Sequence, residues 1–166
     1  MFKVRDTVVY GASGVCEIAE LREMKVGGKQ ATYYVLRPIN AEGSTVFVPV
    51  DNQKLTDKMR RVMSRDEISA MLGDRTQYLD WVEERKQRAE KYTEVISGGD
   101  KREILCMLRM LYEEKLRAES QGKKQYITDK RLMTIAEKIV GEEFSSVMDM
   151  PKEGMARYVY EYKRDA

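Results

Sequence analysis

The chain has 166 residues, 42 % hydrophobic and 35 % charged, with a net charge of +2 and no His. That length fits one large domain or two small ones. The missing imidazole removes the usual general base, the His-containing triads and nearly all zinc sites.

Cys16 and Cys106 stand alone, with no CxxC spacing, so neither a metal cluster nor a disulfide framework is signalled. Two free thiols fit a reducing, cytoplasmic compartment. The longest uncharged run covers residues 7–16, far short of the roughly 20 apolar residues of a membrane span. The first residues also lack an apolar signal core. Residues 1–60 carry nine basic and seven acidic side chains, residues 75–140 fifteen and twelve, and residues 141–166 four and six. Bulk charge therefore does not hold nucleic acid. Any DNA contact rests on a few placed cations and is weak alone.

The first sixty residues read as strands. Phe2, Val4 and residues 7–10 form the first, and Gly11 and Gly14 bracket a turn. Residues 15–21 alternate only loosely. Gly27-Gly28 signals a hairpin into residues 30–36, rich in Tyr and β-branched side chains. A turn at residues 40–43 leads to a strand over residues 44–50, where Pro49 marks a strand end or an edge. Four or five such short strands predict a small SH3-like or Tudor-like barrel.

The period changes near Ser64. Ser64-Arg65-Asp66-Glu67 has the form of a capping box opening a short helix that Gly73 stops. A longer helix is predicted from residue 76 or 77 to about 96, ended by Ser97-Gly98-Gly99. Asp100 opens another, with Ile104, Leu105, Leu108, Leu111, Tyr112 and Leu116 at helical spacing. Thr128 caps a third, with Leu132, Ile135, Ala136, Ile139, Val140, Phe144 and Val147 on one face, and Pro151 starts a last short helix. The expected class is α+β: a barrel over residues 1–60, then an all-helical bundle over residues 61–166. Met107, Met110, Met133 and Met148 read as core filler.

At about 100° per residue, Tyr78, Val82, Ala89, Tyr92 and Ile96 form the buried stripe of the 76–96 helix. Trp81 falls on its shoulder, followed along the helix by Arg85 and Arg88. Two readings stand: a half-buried Trp sealing the bundle under snorkelling arginines, or an aromatic wedge with cations for adjacent phosphates. Lys101-Arg102 and Lys130-Arg131 fall in first helical turns and Lys123-Lys124 in a loop. They are either solvated pairs balanced by Asp100, Glu103 and Asp129, or partners for a phosphate at free helix N–H groups. Glu113-Glu114 and Glu142-Glu143 are adjacent, hence about 100° apart on a helix, and imply surface rather than paired acid–base carboxylates.

The order of these parts resembles the CarD/CdnL family of bacterial transcription regulators. The resemblance is carried by residues 4–10 followed by Gly14-Val15, by Thr45-Val46-Phe47-Val48-Pro49-Val50-Asp51-Asn52, and by the Ser97-Gly98-Gly99-Asp100 break after a Trp-bearing segment. The tract from 108 to 144 is similar too, with Leu111-Tyr112, Lys130-Arg131-Leu132 and Gly141-Glu142-Glu143-Phe144. The N-terminal half also resembles the polymerase-interacting domain of the transcription-repair coupling factor, although no Gly-x-x-x-x-Gly-Lys loop is present.

The resemblance implies a Tudor-like domain that binds the RNA polymerase β subunit edge to edge, through Arg22, Lys25, Tyr33, Val35, Arg37, Phe47 and Pro49. The exposed edge is expected to be the strand of residues 33–37 or that of residues 45–49. It also implies a helical domain on promoter DNA at the upstream edge of the bubble. There Trp81 is the minor-groove wedge, and Arg85, Lys86, Arg88, Lys123, Lys124, Lys130 and Arg131 are the cations. Relatives often carry basic residues directly after the Trp, whereas here Val82-Glu83-Glu84 follow. Some relatives also carry Arg where this chain has Phe47, and Arg22 or Lys25 would compensate. The implied protein is a cytoplasmic monomer that is not an enzyme and needs no cofactor or metal. The alternative is an RNA- or ribosome-associated binding module, against which the low net charge argues.

Overall fold

A computed structural model describes residues 2–76, 79–150 and 153–162. The chain divides into two compact units, Met1–Met63 and Ser64–Ala166.

The first unit is a five-stranded antiparallel sheet: β1 (Thr7–Tyr10), β2 (Gly14–Val26), β3 (Lys29–Pro38), β4 (Val46–Pro49) and β5 (Met59–Arg61), with a short α1 (Gln53–Thr56) before β5. The strand order is β4-β3-β2-β1-β5. β4 and β5 are its two edges, so the sheet is open where a closed barrel was expected. Because β5 pairs with β1, the unit reaches past residue 60. Gly27 and Gly28 both take positive φ and close the β2–β3 hairpin in two residues, as a primed turn requires. Ala19 is an extra residue: pairing passes from Ile18–Leu36 to Glu20–Val35. This bulge explains the loose alternation of residues 15–21, since it re-phases the strand midway. One face then buries Val8, Cys16, Ile18, Tyr34, Leu36, Val48 and Met59 together.

The second unit is helical: α2 (Arg65–Gly73), α3 (Arg85–Gly98), α4 (Lys101–Ser120), α5 (Ile127–Val147) and α6 (Met155–Glu161). The Ser64/Glu67 capping box is formed on both sides. Asp100 caps α4 by accepting from the Arg102 and Glu103 amides. Gly99 ends α3 with φ 73°, the left-handed cap that glycine adopts without strain. α4 is the centre, packed on α3, α5 and α6, and buries Ile104, Leu105, Met107, Leu108 and Leu111. Met107, Met133 and Met148 are buried with them.

Three arginines reach across the unit to carbonyls at helix ends, where the dipole favours cations. Arg65 donates to the Val147 carbonyl, Arg75 to those of Tyr160 and Tyr162, and Arg109 to those of Leu72 and Asp74. Burial and the nearby Arg75 charge lower the Arg109 pKa. The Thr76 hydroxyl and amide donate to the Asp74 carboxylate and hold it below its usual range.

Several expected boundaries move. α3 begins at Arg85, not near residue 76, because Glu84 takes an extended conformation and its carboxylate accepts from the Lys86 and Gln87 amides. Residues 79–83 are therefore non-helical. The expected start at Gln77 and the stripe position Tyr78 lie outside the described residues, as does the start at Pro151. α5 begins at Ile127, one residue before Thr128, which therefore lies inside the helix and not at its cap, and Tyr126 provides no side-chain cap. Leu116 and Ile135 are exposed rather than buried. The first lies past the packed part of α4, and the second at the margin of the α5 stripe.

Candidate polymerase and nucleic-acid interfaces

Pairing in the sheet sorts the candidates of the first unit. Arg22 lies opposite Tyr33 and Tyr33 opposite Pro49; Glu20 lies opposite Val35 and Val35 opposite Phe47. Directly paired residues share a face, and so do residues two apart. Arg22, Tyr33, Val35, Arg37, Phe47 and Pro49 therefore occupy the face opposite the core, whereas Lys25 falls on the other face near the hairpin tip. The Arg22 guanidinium stands 5.9 Å from the Phe47 ring centroid and is ion-paired with Glu20. Phe47 is exposed, Tyr33 and Pro49 half-buried, and Val35 is 1 % exposed and offers no surface.

The edge expected at residues 33–37 is ruled out, because β3 is paired on both sides, with β2 and with β4. The free edge on this side is β4. The Val50 amide donates to the Thr32 carbonyl, so residues 46, 48 and 50 bond towards β3. Alternation along an antiparallel strand then turns the Phe47 N–H and C=O outward. Pro49 has no N–H, and its carbonyl accepts from Asn52. Phe47 is thus the hydrogen-bonding position of a short edge.

In the second unit the sole Trp is neither core nor bare surface. Trp81 is half-buried in the segment before α3. Its ring meets Tyr92 edge-on, centroids 6.2 Å apart, and the Arg88 guanidinium lies 4.5 Å from its centroid. Arg88 departs most from its expected role. It is 2 % exposed, with Nε 2.9 Å and Nη2 2.7 Å from the two carboxylate oxygens of Asp129, itself 2 % exposed. Its Nη1 donates to the Val82 and Glu83 carbonyls at 2.8 and 3.1 Å. Burial alone would pull the Arg88 pKa down, but the hydrogen bonds and charge of Asp129 outweigh it and raise it. With four of its five N–H groups engaged and the residue 2 % exposed, this guanidinium is not presented to a phosphate. The buried positions on α3 are Arg88, Tyr92 and Val95, with Ala89 and Ile96 half-buried.

The remaining cations are exposed: Arg85, Lys86, Lys123, Lys124, Lys130 and Arg131. The Arg88–Asp129 pair brings the first turns of α3 and α5 together. There the Arg85 guanidinium stacks 4.3 Å from the centroid of the exposed Tyr126 ring. Lys123 and Lys124 line a groove of about 460 Å³ with Arg117, Glu114, Tyr126 and Asp129. A larger groove of about 820 Å³ borders Trp81 and is lined by Leu79, Glu83, Met110, Glu113 and Leu116 among others. Trp81 therefore has an acidic groove beside it. Tyr92 is buried as the stripe predicts, Asp129 is buried rather than a surface counter-charge, and Tyr126 is the residue that sequence reasoning did not single out. No local signal pairs Arg88 with a residue 41 positions away.

The Tyr92 hydroxyl donates to the Asp80 carbonyl at 3.4 Å, and burial pushes its pKa up from 10.0 to about 12. An acid raised in the folded state makes folding most favourable below its unfolded pKa. That contribution is lost as pH rises through the folded value. Stability should therefore fall by about 2–3 kcal/mol between pH 10 and 12 on account of this phenol. Urea titrations across that window should show Tyr92→Phe lacking this part of the decline.

No helix among the described residues is long and apolar enough to cross a membrane. No curated protein matches the chain. Residues 2–63 match the family model of the CarD-like/TRCF RID domain, a polymerase-interacting domain of transcription proteins. The N-terminal unit, with its open sheet and free β4 edge, belongs to the CarD-like/TRCF RID domain family.

Proposed function

We propose that this protein is a non-enzymatic transcription regulator of the cytoplasm. Its N-terminal unit adds the β4 edge to a strand of the RNA polymerase β subunit, a form of β-augmentation. Its helical unit contacts promoter DNA at the upstream edge of the bubble and changes the stability of the open complex. The observation that carries the reading is the family match over residues 2–63, joined to an edge strand whose outward hydrogen-bonding groups sit at the exposed Phe47.

The DNA half of the reading rests on Trp81 and its surroundings. A half-buried indole has a free edge to pack into a distorted base step, and only opened DNA offers that step. A ligand that prefers one state shifts the equilibrium by its differential affinity. Glu83, Glu113 and Glu114 border Trp81 on the groove side. The phosphates are therefore assigned to the Arg85, Lys86 and Tyr126 side, with Lys123, Lys124, Lys130 and Arg131 further along.

The test is the lifetime of open polymerase–promoter complexes with the wild-type protein and with Trp81→Ala. The variant should remain folded and lose the effect on lifetime. A folded variant that acts as wild type does would sink the wedge. DNA binding by the protein alone should be weak and steeply salt-dependent. Reversing Lys130 and Arg131 together should lower the log–log salt slope by about two, at roughly 0.9 per phosphate contact, equally for all sequences. A salt-insensitive, sequence-specific mobility shift would point to a conventional groove reader.

A further inference from the structure

We infer that Arg88, locked by Asp129, is the positioning residue that holds Trp81 in its presenting geometry. Trp81 sits in a non-helical segment, so its own backbone hydrogen bonds do not fix its direction. Side chains of α3 do so instead, from both sides of it in sequence. Before it, the Tyr92 hydroxyl grips the Asp80 carbonyl. After it, Arg88 grips the Val82 and Glu83 carbonyls while its face lies against the indole. Nε and Nη2 are both committed to Asp129, which fixes the guanidinium plane and hence the ring lying on it. Four N–H groups in one rigid fork perform three tasks: an ion pair with α5, a double carbonyl grip and a ring platform. Lys can supply the charge but not that plane.

The functional consequence rests on the wedge reading, but the positioning itself does not need DNA to be measured. Trp81 is the only Trp, so its fluorescence reports on this segment alone. Two full-length variants make the test. Arg88→Met with Asp129→Leu removes both charges together, so neither is left buried without a partner. Arg88→Lys keeps the charge and removes the fork.

With helical circular dichroism retained, both variants should show red-shifted Trp81 emission and greater acrylamide quenching than wild type. Their effect on open-complex lifetime should fall to that of Trp81→Ala, and adding Trp81→Ala to either should change nothing further. Unchanged emission and quenching in either folded variant would overturn the positioning role. If fluorescence changes as stated while Trp81→Ala itself leaves the lifetime untouched, the positioning role stands and the wedge falls.

Discussion

Phe47→Pro should weaken capture of RNA polymerase by the full-length protein while leaving the sheet intact. On β4 the bonds to β3 come from residues 46, 48 and 50, so a proline at 47 removes an outward N–H and no rung of the ladder. An incoming strand would be left with a carbonyl facing the pyrrolidine ring. One buried, unsatisfied acceptor costs about 1–3 kcal/mol, which is roughly a five- to 150-fold loss of affinity. Phe47→Ala separates backbone from side chain: it keeps the N–H and removes only the ring under Arg22. A pull-down with purified polymerase compares the three proteins. Full binding by a folded Phe47→Pro would mean that the polymerase meets the outer face or β5 rather than the β4 edge.

Asp129→Ala should be as destabilising as truncating a large core side chain of the helical unit. It leaves the Arg88 guanidinium, 2 % exposed, without its counter-ion. Removing one partner of a buried pair costs about 3–5 kcal/mol, against a total stability on the order of 5–15 kcal/mol for a domain. The exposed pair Arg117–Glu114, with side chains 64 % and 33 % exposed, is the control. Losing it should cost less than about 1 kcal/mol. Urea unfolding should show a lower midpoint at unchanged slope for Asp129→Ala and almost no shift for Glu114→Ala. Equal, small shifts in both would mean that water reaches Arg88.

What local chemistry determines was legible along the chain. The Gly27-Gly28 turn needs no partner beyond its two strands, and the Ser64 and Asp100 caps are closed within four residues. What depends on distant partners was not. The Ala19 bulge is visible only once β3 supplies the register. Which strand is an edge follows from the order β4-β3-β2-β1-β5, a non-local fact, and so β3 was offered as one of two candidates. At about 100° per residue Arg88 falls on a shoulder, and a charged side chain on a shoulder reads as snorkelling to water. The position turns inward because Asp129 waits there. The same spacing carried the helix back through Trp81 to residue 76 or 77, whereas Glu84 caps it and the helix begins at Arg85. The Trp81–Arg88 neighbourhood was thus anticipated in membership but not in mechanism. The arginine behind the ring holds it in place, and the free cations lie elsewhere.

The long arginine contacts also bear on how the helical unit comes apart. Arg65 and Arg75, on and just after the unit's first helix, hold the ends of its last two, 82 to 87 positions away. Arg109 from the central helix closes the end of the first. Neither extremity can therefore fray alone without releasing carbonyls at the other. Amide exchange in α6 should follow that in α2 rather than decay independently, as one cooperative unit. Arg75 also stands where the segment leading to Trp81 begins, so α6 is part of that segment's foundation. Loosening the last helix would slacken the approach to the indole from the far end of the sequence, without touching any residue beside it.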